Sequence, residues 1–276
     1  MSIIGRNVVR AALIVSILGG YALAQDSVPE KHVKDIKAEQ TQESLLASAL
    51  CQRVKTDGQA YTHLRPVDPA TLQPNLAALM KKSDEVVLAS IFLAHTDTVS
   101  SSGEDAIQFF DVRVLRTWKG AHRVDDLLTF AVPSGSVTCE PDPGHNGQFL
   151  GASTMTGGVD WKGIGSLGPY VLFLRQSQGD EGRLIPGLRL TGGDGAQGLF
   201  ALQSDPGGAA DRDCSGIAPA NTAKCNADLD SNQTPVSVTY RRDPLLKKYD
   251  GMPIANFLRE VQFVADSLGY SADSAN

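Results

Sequence analysis

The sequence predicts an α+β fold, mainly β: an antiparallel sheet or small barrel flanked by an N-terminal and a C-terminal helix. Three observations carry this. Several short segments are apolar throughout or alternate with period 2, as strands do. Stretches rich in Gly, Pro and Ser separate them. Apolar residues at three- and four-residue steps occur mainly near the two ends, which places helices there.

The chain of 276 residues begins with Arg6 and Arg10, the apolar run 11–18, and Ala22-Leu23-Ala24. This is the layout of a secretory signal over residues 1–24, with a mature start at Gln25. An uncleaved anchor is the alternative, but the apolar run is shorter than the ~20 residues a span needs. Removing residues 1–24 leaves 252 residues and, since Arg6 and Arg10 are their only charges, shifts the net charge from −6 to −8. Clustered Lys or Arg is what gains from a phosphate backbone, so the acidic balance excludes nucleic acid as an expected partner. No later stretch is apolar for long enough to span a bilayer, so no membrane span is expected in the mature chain.

Residues 25–37 are polar and charged and are expected to form a flexible arm, leaving 38–276 as one globular domain. Leu45, Leu46, Ala49, Leu50 and Val54 form one apolar face of a helix over 38–55. A second helix is expected from Asp68-Pro69, carrying Leu72, Leu76, Leu79 and Met80. Strands follow over about 85–241. They are 85–94, 106–118 (Phe110, Val112 and Val114 opposite Asp111, Arg113 and Leu115), 126–132, 169–175, 184–190, 198–203 and 235–241. Residues 134–168 show no clear element and are expected to be a flexible Gly-rich insertion. Ile254, Phe257, Leu258, Val261, Val264 and Leu268 predict the terminal helix 252–268, with Gly269 beyond it.

Cys51, Cys139, Cys214 and Cys225 all follow residue 24. In an oxidising compartment they are expected to form disulfides, and four allow three pairings. A local Cys214–Cys225 bridge across a Ser-, Pro- and Asn-containing loop is the first expectation, which leaves Cys51 with Cys139. Free buried thiols are the alternative. No C-x-x-C occurs and the five His are scattered singly, so no zinc site, and no cofactor, is expected.

Each motif that suggests chemistry has a plainer reading. Gly163-Ile-Gly-Ser-Leu-Gly168 spells G-x-G-x-x-G, but a Pro and a strand follow where a dinucleotide site needs a helix. Asp228, Asp230 and Asn232 alternate like calcium ligands, yet the Gly and distal Glu of such a loop are missing; a solvated turn is expected. His95 and Asp97 beside Ser100, Ser101 and Ser102 suggest a Ser–His–Asp centre, but there is no nucleophile elbow. Glu104-Asp105 and Asp125-Asp126 are expected to be solvated turns rather than a glycosidase pair. Trp118 is expected in the core. Trp161, in the long loop, is the aromatic expected to touch a ligand.

Residues 85–175 also carry a resemblance. VVLASIF at 86–92, F-x-V-x-V-L-x-x-W-K-G at 110–120, LLTFAVPSG at 127–135 and G-x-Y-V-L-F-L at 168–174 resemble the netrin-like, tissue-metalloproteinase-inhibitor type of OB barrel. The resemblance covers about a third of the chain. It implies an OB-like barrel and a non-enzymatic binding role. Those inhibitors act through an N-terminal Cys, and the predicted start here is Gln25, so inhibition by that route is not implied.

The expected function is an exported, non-enzymatic binding or interaction module for a protein or small-molecule ligand outside the cytoplasm. Two alternatives stand beside it: an extracellular hydrolase whose site assembles from distant residues such as His95, Asp97 and His145, and a calcium-stabilised exoprotein using Asp228 and Asp230.

Overall fold

In the computed structural model, residues 45–141, 149–157, 159, 169–178, 187–202, 214 and 221–270 are described, with backbone alone for 95–98, 140, 141, 149 and 194. All belong to one unit, 38–276. The architecture is α+β and mainly β, with an OB-like closed five-stranded barrel and flanking helices.

The barrel strands are β2 (Glu85–Val99), β3 (Ala106–Lys119), β4 (Leu127–Val132), β7 (Pro169–Gln176) and β8 (Leu188–Leu190). Pairings β2–β3, β3–β4, β2–β7 and β7–β8 are antiparallel, and β4–β8 is parallel. These five contacts close the ring without a free edge. β2 bends as it goes, with four register shifts against β3. β9 (Leu199–Leu202) pairs with the first half of β7, whose second half pairs with β8, and β10 (Val236–Val238) extends the sheet beyond β9.

Alternation along each strand sorts its residues between two cores. Phe110, Val112, Val114, Leu128, Phe130, Tyr170, Leu172 and Leu190 fill the barrel interior, where the Phe110 and Phe130 rings stack at 5.1 Å. A barrel of this size is filled by its own side chains. The opposite faces, with Val86, Leu88, Trp118, Val171, Phe173 and Phe200, pack under four helices. These are α2 (Leu76–Lys82), α3 (Thr222–Ser231), α4 (Pro244–Tyr249) and α5 (Ile254–Ser267). α5 buries Ile254, Phe257, Leu258 and Val261, the spacing that predicts it. Tyr249 donates to Glu260 at 2.7 Å; burial and that neighbouring carboxylate push its phenol up to about 12.

Each residue of the Trp-Lys-Gly run at 118–120 has a structural task. Trp118 is fully buried and donates to Gln262 Oε1 at 3.0 Å. Lys119 Nζ donates to the Met80 carbonyl at 3.1 Å and to the Lys81 carbonyl at 3.3 Å, at the end of α2, where a cation suits the helix dipole. Gly120 has φ 117°, and a Cβ there would lie 1.8 Å from Glu85 Oε2.

A second sheet has the order β1–β6–β5. Its strands are β1 (Tyr61–Arg65), parallel to β6 (Phe149–Thr156), which is antiparallel to β5 (Gly135–Pro141). α1 (Ala49–Asp57) packs on it through Leu50, Cys51 and Val54. The bond Cys51–Cys139 joins that helix to β5, and Cys214–Cys225 is the other disulfide.

The structure corrects several expectations. Residues 134–168 are not a featureless insertion, because they contain β5 and β6. Val137 is the one large apolar residue among the inward Val137, Cys139, Ala152 and Thr154, while the large apolar Met155 faces outward beside Ser136 and Thr138, so no apolar alternation marks them. The helix expected from Asp68 is two pieces. A 3₁₀ turn at Pro69–Thr71 is capped by Asp68, and α2 starts afresh after Asn75, whose side chain accepts the Ala78 N–H. Asp228 and Asp230 sit on α3 and not in a solvated turn. The strand at 235–241 narrows to β10, and α4 begins at Pro244 behind the cap Asp243. The helix expected over 38–55 is interrupted at Ala47-Ser48: α1 starts afresh at Ala49 behind Ser48, whose extended backbone and side chain, accepting the Cys51 N–H, cap it. Residues 1–37 and the G-x-G-x-x-G run lie outside the described residues. No helix among the described residues is long and apolar enough to cross a membrane.

Candidate functional site

The site is built where a tight turn meets an edge strand. Ser100 to Asp105 folds on itself. Ser100 N–H donates to the Asp105 carbonyl at 2.7 Å, Gly103 N–H to the Ser100 carbonyl at 2.7 Å, and Asp105 N–H to Ser100 Oγ at 3.1 Å. Gly103 lets this turn approach α1. At φ 73° its Cβ would stand 2.9 Å from the Ala49 nitrogen, and its carbonyl accepts the Leu50 N–H at 2.9 Å. α1 is held in turn by the Cys51–Cys139 bond.

This arrangement sets the Glu104 carbonyl and the Asp105 carboxylate against β1. The His63 ring nitrogen Nδ1 lies 2.7 Å from the Glu104 carbonyl oxygen and 3.1 Å from Asp105 Oδ1. Arg65 Nη1 bonds the other carboxylate oxygen, Oδ2. Asp105 is 5 % exposed, so its charge is removed from water, and Arg65 is the cation that bonds it. Glu104-Asp105 is therefore no solvated turn: one acid faces outward and the other is buried beneath β1.

Next to His63 is a solvent-open cavity of about 220 Å³ lined by Ala49, Leu50, Arg53, Tyr61, His63 and Glu104. A carbonyl oxygen only accepts, so His63 Nδ1 carries its hydrogen toward Glu104. Nε2 of the neutral ring is then the bare nitrogen, an acceptor for a ligand hydrogen or a base for a proton. Arg53 adds a cation, Glu104 an anion and Tyr61 a ring with a hydroxyl. A His whose Nδ1–H is held by a carbonyl, with a buried carboxylate 3.1 Å away, presents Nε2 as a general base does. Ser100 is 2 % exposed and its Oγ is 3.0 Å from Ser102 Oγ, so it is not presented as a nucleophile.

The structure brings together the Ser-rich turn and a His–Asp pair, but the pair is His63 with Asp105. His95 and Asp97 lie on β2, with side chains outside the described residues, as are Trp161 and His145. The signal for the observed pair is weak: Tyr61, His63 and Arg65 alternate with Thr62 and Leu64, a period-2 pattern with only one apolar member. The calcium reading is corrected. On a helix, Asp228 and Asp230 project from different faces, and Asp230 makes a two-pronged ion pair with Arg116 at 3.0 and 2.8 Å. Among the described residues no group of three His, Cys, Asp or Glu gathers to hold a metal.

A second His–carboxylate pair lies at the barrel end. His122 Nδ1 stands 3.1 Å from Glu85 Oε1, which also accepts the Ala121 N–H at 2.9 Å. Burial pushes the Glu85 carboxyl up, but its contacts with His122 and the Ala121 amide outweigh this and hold it below its ordinary value. The contact with Glu85 raises His122, burial offsets part of that, and the charges of Glu85 and Asp126 add to it. Neither His122 nor Glu85 lines the cavity.

No protein-family model matches this sequence, and no curated protein matches it.

Proposed function

We propose that the chain is an exported binding module, an OB-like barrel that engages a ligand outside the cytoplasm at the cavity between α1 and β1. The observation that carries this is the fixing of His63. Its Nδ1 is committed to Glu104 and Asp105, so the cavity presents an oriented polar group before any ligand arrives, and pre-orientation lowers the cost of binding. Export is supported by the signal-like residues 1–24 and by two disulfides, which persist outside the cytoplasm. The netrin-like resemblance belongs to the same reading: a barrel core that carries a binding surface, with no inhibitory N-terminal Cys.

The test is affinity capture with the chain from Gln25 to Asn276, alongside His63→Ala and Arg53→Glu, from the source organism's envelope and medium. A partner retained by the wild type and lost by both variants supports the cavity as the site. Equal retention by all three removes it.

The His63–Asp105 geometry also favours a second reading, a hydrolase in which His63 activates water. Screening ester, peptide and glycoside substrates decides it. Turnover that His63→Ala abolishes establishes the enzyme, and activity unchanged by that substitution excludes His63 as its base.

A further inference from the structure

We infer that the ligand of the His63 cavity is an extended peptide that adds a strand to the open edge of β1; this rests on the cavity between α1 and β1 being the binding site. β1 is the outer strand of its sheet and, among the described residues, pairs with β6 alone. On that side the Arg65 carbonyl accepts the Gly157 N–H at 2.6 Å. Main-chain groups turn to alternate sides along a strand. Tyr61, His63 and Arg65 therefore turn theirs toward β6, and Thr62 and Leu64 turn theirs away from it. Both of these residues are exposed, Leu64 at 65 %, and among the described residues no main-chain group bonds the N–H or C=O of either. Two donors and two acceptors spaced two residues apart are satisfied together by an extended main chain, which is how an open sheet edge takes up a peptide.

The cavity lies where such a strand puts its side chains. Tyr61 and His63 share one face of β1, and both line the cavity with Ala49, Leu50, Arg53 and Glu104. Neighbouring strands run about 4.8 Å apart with side chains alternating between faces, so every second residue of the added segment stands on the cavity side. The volume of about 220 Å³ is below the roughly 300–1,000 Å³ of a site that encloses a whole small molecule, so it suits one side chain of a longer ligand. Arg53 and Glu104 bring one charge of each sign beside the bare His63 Nε2, a setting for a neutral side chain that both donates and accepts. The residues between serve the other face, where the register partners Leu64 and Met155, 65 % and 44 % exposed, offer apolar contact. A second copy of the chain fits less well. Its β1 would bring another α1 and another 100–105 turn to the face where the first pair already stands, whereas a lone strand brings only side chains.

The probe is a library of random octapeptides displayed on phage and panned on the chain from Gln25 to Asn276. The enriched sequence, synthesised with both ends blocked, is then titrated against variants. Leu64→Pro removes one outward N–H, and proline is tolerated on the open side of an edge strand. Leu64→Thr changes the same side chain and keeps the N–H. The peptide is expected to bind Leu64→Pro about tenfold more weakly than Leu64→Thr, and His63→Ala is expected to weaken it as well. In the unsubstituted chain the Thr62 and Leu64 amides should exchange with solvent more slowly once the peptide is bound, a reading that does not depend on how the proline variant folds. Unchanged exchange, or equal binding to Leu64→Pro and Leu64→Thr with loss in His63→Ala, overturns the added strand and keeps the cavity as the site. Equal binding by every variant removes both. If no sequence is enriched, the added strand falls, and affinity capture with His63→Ala judges the cavity by itself. A chain that sediments as a dimer, and as a monomer once Leu64→Pro is introduced, gives the edge to a second copy and overturns the inference.

Discussion

Gln197 pairs with the main chain of Gln73 as a neighbouring strand would. Its Oε1 accepts the Gln73 N–H at 2.6 Å, and its Nε2 donates to the Gln73 carbonyl at 3.0 Å and to Asp243 Oδ2 at 3.0 Å. One side chain thus ties together the segment after Asp68, the turn after β8 and the cap of α4. Gln197→Leu keeps most of the volume and strands two backbone groups of the half-buried Gln73 and the buried Asp243 carboxylate. The expected loss is about 2–4 kcal/mol, read as a lower urea midpoint. A loss below about 0.5 kcal/mol would show that water replaces the clamp.

Two glycines separate strain from collision. Gly58 has φ 62° with nothing within 4 Å of an added Cβ, whereas Gly120 has φ 117° and meets the Glu85 carboxylate. Gly58→Ala is expected to cost about 1 kcal/mol, the left-handed backbone penalty alone. Gly120→Ala must also expel Glu85 from its contacts with Ala121 and His122, and is expected to cost about 3 kcal/mol or more. Equal losses in thermal unfolding would mean that Glu85 moves aside freely.

Apolar periodicity made the barrel and the last helix legible, because both bury large side chains at fixed steps. β3 alternates Phe110, Val112 and Val114, and α5 repeats Ile254, Phe257, Leu258 and Val261. The β1–β6–β5 sheet was hidden, since its buried face relies on Cys139, Ala152 and Thr154, residues whose strand preference depends on context. The candidate site was hidden for a related reason. His63 and Asp105 are separated by 42 positions in the sequence and meet only because the glycine turn at 103 docks on α1. The Asp243-Pro244 start of α4 carries a standard cap signature just beyond the expected strand 235–241, and the six residues of α4 are too few to show a helical period.

The two disulfides should differ in weight. Cys51–Cys139 spans a sequence separation of 88 and Cys214–Cys225 one of 11. A longer closed loop restricts the unfolded chain more. Replacing Cys51 and Cys139 by Ser is expected to lower stability by about 4 kcal/mol, and replacing Cys214 and Cys225 by about 2–3 kcal/mol. Denaturant unfolding of the two double variants checks the order. The reverse order would mean that local strain or residual unfolded-state structure outweighs loop entropy.

The Glu85–His122 pair predicts a bell in stability against pH. Glu85 is held below its ordinary 4.5, so its share is present above that value and is lost as pH falls through the folded-state value. His122 is raised above its ordinary 6.5, so its share is complete below 6.5 and is lost as pH rises through the folded-state value. Both shares are full between about pH 4.5 and 6.5. The His122 side chain is 29 % exposed and that of Glu85 9 %, so the pair contributes only about 1 kcal/mol or less. His122→Gln keeps a donor for Glu85 and removes the titration. The stability gap between wild type and this variant should be widest near pH 5.5, midway between those two values, and should close toward about pH 9, where the imidazole is neutral. Because other groups titrate in both proteins, the difference between the two unfolding curves is the quantity to measure. A gap that stays constant from pH 5 to 9 would show that His122 acts through shape and hydrogen bonding alone, with no part for its charge.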